Sequence, residues 1–192
     1  FVFDPNNNTN RPVRGIHDNV IKFWGIYPDY IRQAFTYTFT AGLADPNKRI
    51  IENEWQKLFT RLRAEIVSCQ CGRTTFLSAF ENLGDTTYRC QRCGTQFPTL
   101  SFSNVDYRIP IYQNARLYAC ITETACDDFS RITGEVIENR LKKGMLGIRN
   151  MSDKVWDVKM PDGNFYHIDY EKGFPIWEDL EIKFGDITAK IK

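Results

Sequence analysis

The chain has 192 residues, of which 42% are hydrophobic and 26% are charged, so it can bury one or two cores and is neither a disordered nor a collagen-like polymer. Its 25 basic and 24 acidic residues leave a net charge of +1, which provides no overall field to attract nucleic acid. The apolar runs are far shorter than the roughly 20 residues of a membrane-spanning helix, and no signal-peptide pattern is present. We therefore expect a soluble, cytoplasmic protein without a membrane partner, and nucleic acid is a disfavoured partner.

The N-terminal sequence FVFDPNNNTNRPV indicates that the chain is part of a longer protein. A strand-like Phe-Val-Phe runs directly into an asparagine-rich turn, and no initiator methionine precedes it. We therefore expect a fragment. The alternative is a processed protein that contains a complete domain.

Two amphipathic helices are predicted in the first third of the chain. Pro28 suits a first helical turn, and apolar residues recur every four positions from Ile31 to Phe39, until Gly42 offers a C-terminal cap. A second apolar stripe follows the turn ADPNKR and consists of Ile51, Trp55, Leu58, Phe59, Leu62 and Ile66. We expect this stripe to lie in a core, with its aromatic side chains as packing residues rather than as a ligand site.

The sequence after Leu100 changes to alternating apolar and polar residues with frequent turns. KVWDVKMPDGNFYHIDY and DLEIKFGDITAKIK are typical of short antiparallel strands. Glycines punctuate this region at positions 134, 144, 147, 163, 173 and 185. The last ninety or so residues are therefore predicted to form a small all-β sandwich, which makes the whole chain an α+β protein.

Two cysteine hooks lie near the middle of the chain. The first, CQCG, contains Cys69 and Cys71, and the second, CQRCG, contains Cys90 and Cys93. Each hook ends in a glycine, which lets backbone amides turn towards the sulfurs, as in a zinc knuckle. The 18 residues between the hooks are enough for a β-hairpin with a hook at each end, which would bring four thiolates around a tetrahedral zinc. The protein would then supply all four ligands, so we expect a structural zinc and not a catalytic one.

Two other uses of these cysteines are less favoured. Disulfides would require an oxidising compartment, and the sequence shows no signal peptide that would direct the chain to one. A thioredoxin-like redox motif would begin a helix, but Gly94 and Pro98 lie where that helix would run. Cys120 and Cys126 do not share the pattern, and we expect them to be buried free thiols in or beside a strand.

The segment HDNVIKFWGIYPDYIRQAFTYTFTAGLADPNKRIIENEWQKLFTRL resembles the last helices of a protein-kinase C-lobe. It combines a helix, a DP..R turn and a second helix with a tryptophan near its start. Together with a zinc ribbon directly after it, the motifs NRPV, HDN, YP..IR..F and E.EW...L..LR are similar to those of one bacterial subgroup of serine/threonine kinases. That subgroup is encoded beside a von Willebrand A protein and a metal-dependent phosphatase of the tellurium-resistance type.

The resemblance implies three parts: the helical end of a kinase C-lobe at residues 1–66, a zinc ribbon at 67–104, and a forkhead-associated-like β-sandwich at 105–192. Arg49 matches the family's arginine that pairs with the glutamate ending the activation segment. The sequence contains no Gly-rich loop, strand lysine, His-Arg-Asp loop or Asp-Phe-Gly, so this chain is not expected to transfer phosphate by itself.

The sandwich part resembles a degenerate forkhead-associated domain, in which Asn150 and Ser152 match an N.S element. Members that read phosphothreonine have an arginine after a strand-ending glycine, but here Gly134 is followed by Glu135, and the Ser-x-x-His element is missing. The candidate residues for contact with a phosphopeptide or another protein partner are Arg149, Asn150 and Ser152. Arg149, with Arg140, Lys142 and Lys143 nearby in sequence, could meet a phosphate or an acidic partner, but a solvated loop is favoured for these basic residues.

Three functional hypotheses follow. The leading one is a non-catalytic, protein-interaction region of a bacterial serine/threonine kinase, with the zinc ribbon as a rigid joint and the von Willebrand A protein and the phosphatase as partners. The alternative is a nucleic-acid-binding zinc ribbon. Its candidate residues are Arg73, Arg89 and Arg92 beside Phe76, Phe80 and Tyr88. The third is a hydrolase that uses His17 and Asp18, although a packed or capping His17 and a structural His167 are favoured because no nucleophile motif accompanies them.

Overall fold

The computed structural model describes residues 1–81, 84, 87–140 and 142–192, and it combines helices with three antiparallel sheets, as the α+β prediction requires. The helices are α1 (Asp18–Trp24), α2 (Asp29–Phe39), α3 (Ala41–Ala44), α4 (Glu52–Ala64), α5 (Leu77–Glu81) and α6 (Ala119–Thr122). The first strands are β1 (Ile66–Ser68), β2 (Thr74–Phe76), β3 (Thr99–Phe102), β4 (Arg108–Pro110), β5 (Arg116–Tyr118) and β6 (Ile132–Glu138). The remaining strands are β7 (Leu146–Asn150), β8 (Trp156–Lys159), β9 (Phe165–Ile168), β10 (Gly173–Pro175), β11 (Glu181–Phe184) and β12 (Ile187–Ile191). In the described part of the chain, no helix has both the length and the apolar character needed to cross a bilayer.

The first predicted helix is shorter than its sequence pattern indicated. Pro28 precedes the helix as its N-cap, and α2 ends at Phe39 because Thr40 leaves helical geometry. Gly42 is therefore not a C-terminal cap but a buried residue inside the short helix α3. The Gly42 position is tight, since a Cβ there would lie 3.3 Å from the Cγ atom of Arg49.

The expectation that the α4 stripe lies in a core is wrong, because α4 has no fully buried residue. Phe59 is 47% exposed, and Trp55 is half-buried. The two rings stack on each other with 5.6 Å between centroids, and Phe35 of α2 packs edge-on against Trp55 at 4.9 Å. The apolar stripe is thus only partly covered, since Leu58, Leu62 and Ile66 are half-buried and Ile51 is 63% exposed.

The two larger sheets share one apolar core. The six-stranded sheet has the order β4-β3-β12-β11-β8-β9, and the four-stranded sheet has the order β10-β7-β6-β5. Buried side chains from both sheets form a single cluster around Trp156, which is 1% exposed. We call residues 99–192 the two-sheet region. Its first strand, β3, lies within the range that the sequence assigned to the zinc ribbon, and it pairs with the last strand of the chain.

Three of the six glycines that seemed to mark turns lie inside strands instead. Gly134 is the third residue of β6, where a Cβ would lie 2.8 Å from the Cη2 atom of Trp156. Gly147 of β7 shows the same constraint, since its Cβ would lie 2.7 Å from the carbonyl oxygen of Phe174. These glycines leave room for a buried ring or a neighbouring strand to approach the backbone. In the sequence, a glycine with this packing role looks the same as a glycine in a turn.

Replacement of Gly134 by Ala should destabilise the two-sheet region by about 1–3 kcal/mol, because the added methyl group overlaps the Trp156 ring and forces a shift in a close-packed core. Urea denaturation measures the effect. Gly25→Ala is the matched control, since Gly25 has a φ of −70° and nothing lies within 4 Å of a Cβ there. Equal denaturation midpoints for the two variants would contradict the packing argument.

Candidate metal centre

The first cysteine hook forms the turn between β1 and β2. The N–H group of Cys69 donates to the carbonyl oxygen of Arg73 at 2.9 Å, and the N–H group of Gly72 donates to that of Cys69 at 2.9 Å. Gly72 has a φ of +84°, a left-handed conformation that L side chains rarely adopt. The chain therefore reverses over Gln70 and Cys71 and places both sulfurs on the inside of the turn.

The second hook has the same construction. The N–H group of Cys90 donates to the carbonyl oxygen of Thr95 at 2.8 Å, and that of Gly94 donates to Cys90 at 2.7 Å. Gly94 has a φ of +74°. The sequence placed the hooks at the two ends of one hairpin, but each hook instead forms the turn of its own antiparallel pair, because Arg89 and Gln96 form a β-bridge across the second hook.

The four thiol groups converge on one point. All four Sγ atoms lie within 4.8 Å of one another, with 3.4 Å between Cys69 and Cys93 and 3.7 Å between Cys71 and Cys90. A tetrahedron of sulfurs around a metal with bonds of about 2.3 Å has edges of about 3.8 Å. A disulfide requires about 2.05 Å between sulfurs, so all four cysteines are free thiols. The cluster is therefore a possible metal site.

Backbone amides face the sulfurs, as the glycine after each hook predicted. The N–H group of Cys71 donates a hydrogen bond to the sulfur of Cys69. The N–H groups of Arg92 and Cys93 donate to the sulfur of Cys90, and the N–H group of Thr95 donates to the sulfur of Cys93. Hydrogen bonds of this kind stabilise a thiolate, which is the form that binds metals.

The pKa values of the Cys93, Cys90 and Cys69 thiols shift in different directions. Hydrogen bonds from the hydroxyl and N–H groups of Thr95 lower the pKa of the Cys93 thiol to about 6, and the N–H group of Arg92 lowers that of Cys90. Burial raises the pKa of the Cys69 thiol to about 12, because its thiolate would lose hydration. A bound cation would compensate for that loss. Cys93 is the exposed member of the cluster and gives a metal ion access to it.

The other two cysteines lie outside this cluster. Cys120 belongs to the short helix α6 directly after β5, and Cys126 lies in the following loop. Both are free, as expected, but both are partly exposed rather than buried. Among the described residues, the four hook cysteines lie close enough together to hold a metal ion.

The cysteine module, residues 66–97, packs directly on the two-sheet region. Tyr112 contacts the core of the two-sheet region and also the buried cluster of the module. The Tyr112 hydroxyl hydrogen-bonds to Ser68, the last residue of β1. Gln70, within the first hook, donates to the side chain of Gln113 at 3.2 Å. The first hook thus holds the four-cysteine cluster against the two-sheet region.

An ion pair between a buried carboxylate and a half-buried arginine joins the helices to the other two parts. Glu65 is 3% exposed and accepts a hydrogen bond of 2.7 Å from the Nε atom of Arg61, near the end of α4. The Arg61 guanidinium lies 4.2 Å from the ring centre of Tyr30 in α2 and 5.1 Å from that of Tyr107 in the two-sheet region. Burial raises the pKa of the Glu65 carboxyl, and the arginine opposes this shift. Ser78 of α5 also bonds to Glu65.

No pattern in the sequence predicts this junction. Arg61 and Glu65 are one helical turn apart, a spacing that usually marks an exposed ion pair, and nothing in the sequence distinguishes them from such a pair. Their burial depends on Tyr30 and Tyr107, which lie 31 residues before and 46 residues after Arg61.

Arg49 lies directly after the 3-10 turn Pro46–Lys48 and points back to α3. Its Nε atom donates to the carbonyl oxygen of Gly42 at 2.9 Å. This contact closes the DP..R turn locally. The glutamate that the resemblance pairs with Arg49 has no identified position in this chain.

The three predicted partner-contact residues lie together at the end of β7, but two of them are inside the protein. Asn150 is fully buried and donates to the carbonyl oxygens of Lys154 at 2.7 Å and Ile168 at 2.8 Å. Ser152 is 4% exposed and donates to the side-chain oxygen of Asn150 at 2.8 Å. Their polar groups hold the β7–β8 loop, so a peptide would reach them only if this loop opened.

Arg149 is partly exposed, and its charge is matched within the protein. Its Nη2 atom lies 2.5 Å from a carboxylate oxygen of Glu135, the residue directly opposite on β6. An approaching phosphate would therefore meet a carboxylate beside the guanidinium.

The aromatic residues of the nucleic-acid hypothesis are not displayed for stacking. Phe80 is 4% exposed and Tyr88 is 6% exposed, and both belong to the core of the cysteine module. Arg73 donates to Gln91, and Arg92 donates to the carbonyl oxygen of Cys71 at 3.1 Å. Binding of single strands depends on accessible aromatic faces, which this arrangement does not offer at these two rings.

His17 and Asp18 serve the turn before α1. The Nδ1 atom of His17 accepts a hydrogen bond of 3.0 Å from the N–H group of Val13, and Asp18 accepts one of 2.9 Å from Gly15. His17 is also the N-cap residue of α1. His167 lies in β9, where its Nδ1 atom is 2.6 Å from Asp157.

Comparisons with protein-family models, with curated proteins and with solved structures found no match for this chain.

The variant Cys69→Ser should lose most of its affinity for a thiolate-binding metal ion. The loss should exceed the roughly 10–100-fold that removal of an outer-shell partner costs, because a direct ligand disappears. Competition with a chromophoric chelator measures the affinity. Cys126→Ser, which alters a cysteine outside the cluster, should retain the original affinity. If Cys69→Ser bound as tightly as Cys126→Ser, Cys69 would not be a ligand.

Proposed function

We propose that this chain is a non-catalytic, protein-interaction region of a bacterial serine/threonine protein kinase, in which a structural zinc ion fastens a helical segment to a forkhead-associated-like β-sandwich. The convergence of four cysteine sulfurs carries the proposal. Tetrahedral sites of four thiolates select zinc or iron among the common metals. Zinc with four protein ligands has no open position for water or substrate, so its role is structural.

The small size of the cysteine module supports a structural role for the metal. Among the described residues of the module, the buried cluster has seven members, of which two are cysteines: Val67, Cys69, Leu77, Phe80, Tyr88, Cys90 and Phe97. A core of this size cannot stabilise a separate module in water, and modules under about 40 residues commonly need a metal or disulfides. Structural zinc supplies an apparent binding free energy of about 10–16 kcal/mol, which in such modules is folding free energy.

The position of the module supports its role as a joint. Tyr112 and Gln113 contact it from the two-sheet region, and the Arg61–Glu65 pair contacts it from α4. A metal that orders this module would therefore set the orientation of the helices relative to the two-sheet region.

The kinase assignment rests on the sequence resemblance, and the order of the parts is compatible with it. Helices come first, the cysteine module follows, and two antiparallel sheets come last. The proposed partners are the von Willebrand A protein and the metal-dependent phosphatase encoded beside such kinases. Because Glu135 neutralises Arg149, and Asn150 and Ser152 are buried, partner docking is proposed to be independent of phosphorylation.

Removal of the metal should disorder the cysteine module and leave the two-sheet core folded. In hydrogen exchange after chelation, the N–H groups of Cys69, Gly72, Cys90 and Gly94 should lose protection, because their turns depend on the metal. Strands β11 and β12 should keep theirs. Elemental analysis of the untreated chain should find zinc and not iron. Unchanged protection of the hook amides after complete metal removal would contradict a structural role.

Binding to the two proposed partners tests the interaction part of the function. The zinc-loaded chain should bind the von Willebrand A protein or the phosphatase with equal affinity before and after that partner is dephosphorylated. Arg149→Ala should leave the affinity unchanged, because the guanidinium is engaged with Glu135. Calorimetry measures both quantities. No binding to either partner in any phosphorylation state would refute the docking function while leaving the zinc site intact.

A further inference from the structure

The two larger sheets have four edge strands, and three of them are protected against pairing with another chain. Edge strand β4 ends in Pro110 and lies beside helix α5. Edge strand β10 ends in Pro175, which has no N–H group to donate. Edge strand β5 has a register irregularity between Leu117 and Tyr118. Prolines, covering helices and bulges are the usual means by which proteins block sheet edges.

Strand β9, the outer edge of the six-stranded sheet, has none of these features among the described residues. Its sequence is Phe-Tyr-His-Ile, and it pairs with β8 on one side only. Phe165 is 67% exposed, and Tyr166 is 51% exposed. An exposed, aromatic edge without a blocking residue is a template for pairing with another strand.

The hydrogen bonds of the β8–β9 hairpin show which backbone groups face outward. The N–H group of Met160 donates to the carbonyl oxygen of Asn164 at 2.8 Å, and the register then pairs Lys159 with Phe165 and Asp157 with His167. Bonded and non-bonded pairs alternate along an antiparallel ladder, so Phe165 and His167 direct their N–H and C=O groups away from β8. The turn and loop hydrogen bonds of the described chain do not use these groups.

The geometry points to a second copy of this chain as the occupant of this edge: we propose that two copies pair antiparallel through β9 about a two-fold axis at Tyr166. In this register, Phe165 of each copy lies opposite His167 of the other and exchanges two backbone hydrogen bonds with it. The pairing extends the six-stranded sheet across both copies.

The side chains of β9 suit this symmetric register. The two Tyr166 rings meet at the axis in a non-bonded pair, where side chains approach most closely, and aromatic cross-strand pairs are favourable. Each Phe165 ring faces an imidazole, whose charge when protonated is balanced by Asp157 at 2.6 Å. Residues 164–168 contain no acidic side chain, so the paired strands bring no two carboxylates together.

A disulfide across the axis tests the register directly. In the variant Tyr166→Cys, the two introduced thiols lie at Cα positions about 4.5 Å apart, which is within the range that a disulfide can bridge. With oxidised glutathione, the zinc-loaded variant should form a covalent dimer, seen on non-reducing gels. Phe165→Cys is the matched control, because its symmetry mates are offset by two residues along the strands and lie beyond about 7 Å. The unaltered chain, oxidised in parallel, reports any linkage through the native cysteines.

Sedimentation velocity over a wide range of chain concentrations tests the free association. The unaltered chain should dimerise, and Phe165→Lys should raise the dimer dissociation constant by about tenfold or more, because a charged side chain blocks the edge. Trp177→Lys, which replaces an exposed aromatic residue outside β9, should leave the constant unchanged. His167→Pro removes the outward N–H group and should have the same effect as Phe165→Lys.

Three results would overturn the proposal. One is a monomer at every concentration. Another is a dimer that persists in both Phe165→Lys and His167→Pro. Such a dimer would form through another surface, for example the exposed aromatic face of α4. The third is equal cross-linking of Tyr166→Cys and Phe165→Cys, which would exclude this register. Unchanged thermal unfolding of the lysine variant shows that the edge was altered without loss of the fold.

Discussion

The four cysteine sulfurs, all within 4.8 Å of one another, determine how the middle of the chain is arranged. Two tight turns must face each other for the sulfurs to meet, and each turn needs a glycine in the left-handed region. The strand pairs that support the turns, and the small buried cluster beneath them, follow from this requirement. Because that cluster is so small, a metal ion bound in the proposed structural role would stabilise the module far more than it would the two-sheet region.

The cysteine module is also the place where the three parts of the chain meet. The Arg61–Glu65 pair approaches it from the helices, and Tyr112 approaches it from the sheets. An ion pair with one buried member, here Glu65, contributes little net stability, but any arrangement that separated it from Arg61 would leave a buried charge without its partner. The pair therefore favours one orientation of the parts, and a metal in the proposed role would stabilise the fold of the module. Together they would turn a small module into a stiff connection between helices and sheets.

The accuracy of the sequence predictions depended on how local their signals were. The convergence of the four cysteines was predicted correctly because each hook combines its turn, its glycine and its thiols within a few residues. The prediction that one hairpin carries both hooks was wrong, because each hook forms the turn of its own strand pair. The core position of Trp55 and Phe59 was predicted wrongly, because periodicity shows which side chains share a helix face but not what covers that face. The proposal that Phe80 and Tyr88 form a base-stacking surface is disfavoured for the same reason, because the sequence does not show that the module buries both rings.

By itself, the sequence determined the mixed α+β composition, the four converging cysteines and the alternating pattern of the last strands, since each depends on spacing along the chain. Only the tertiary structure decided that Gly134 makes room for Trp156, that Glu65 is buried, and that β9 is an open edge. These features depend on contacts between residues far apart in the sequence. A local pattern carries no information about which distant strand or ring will be its neighbour.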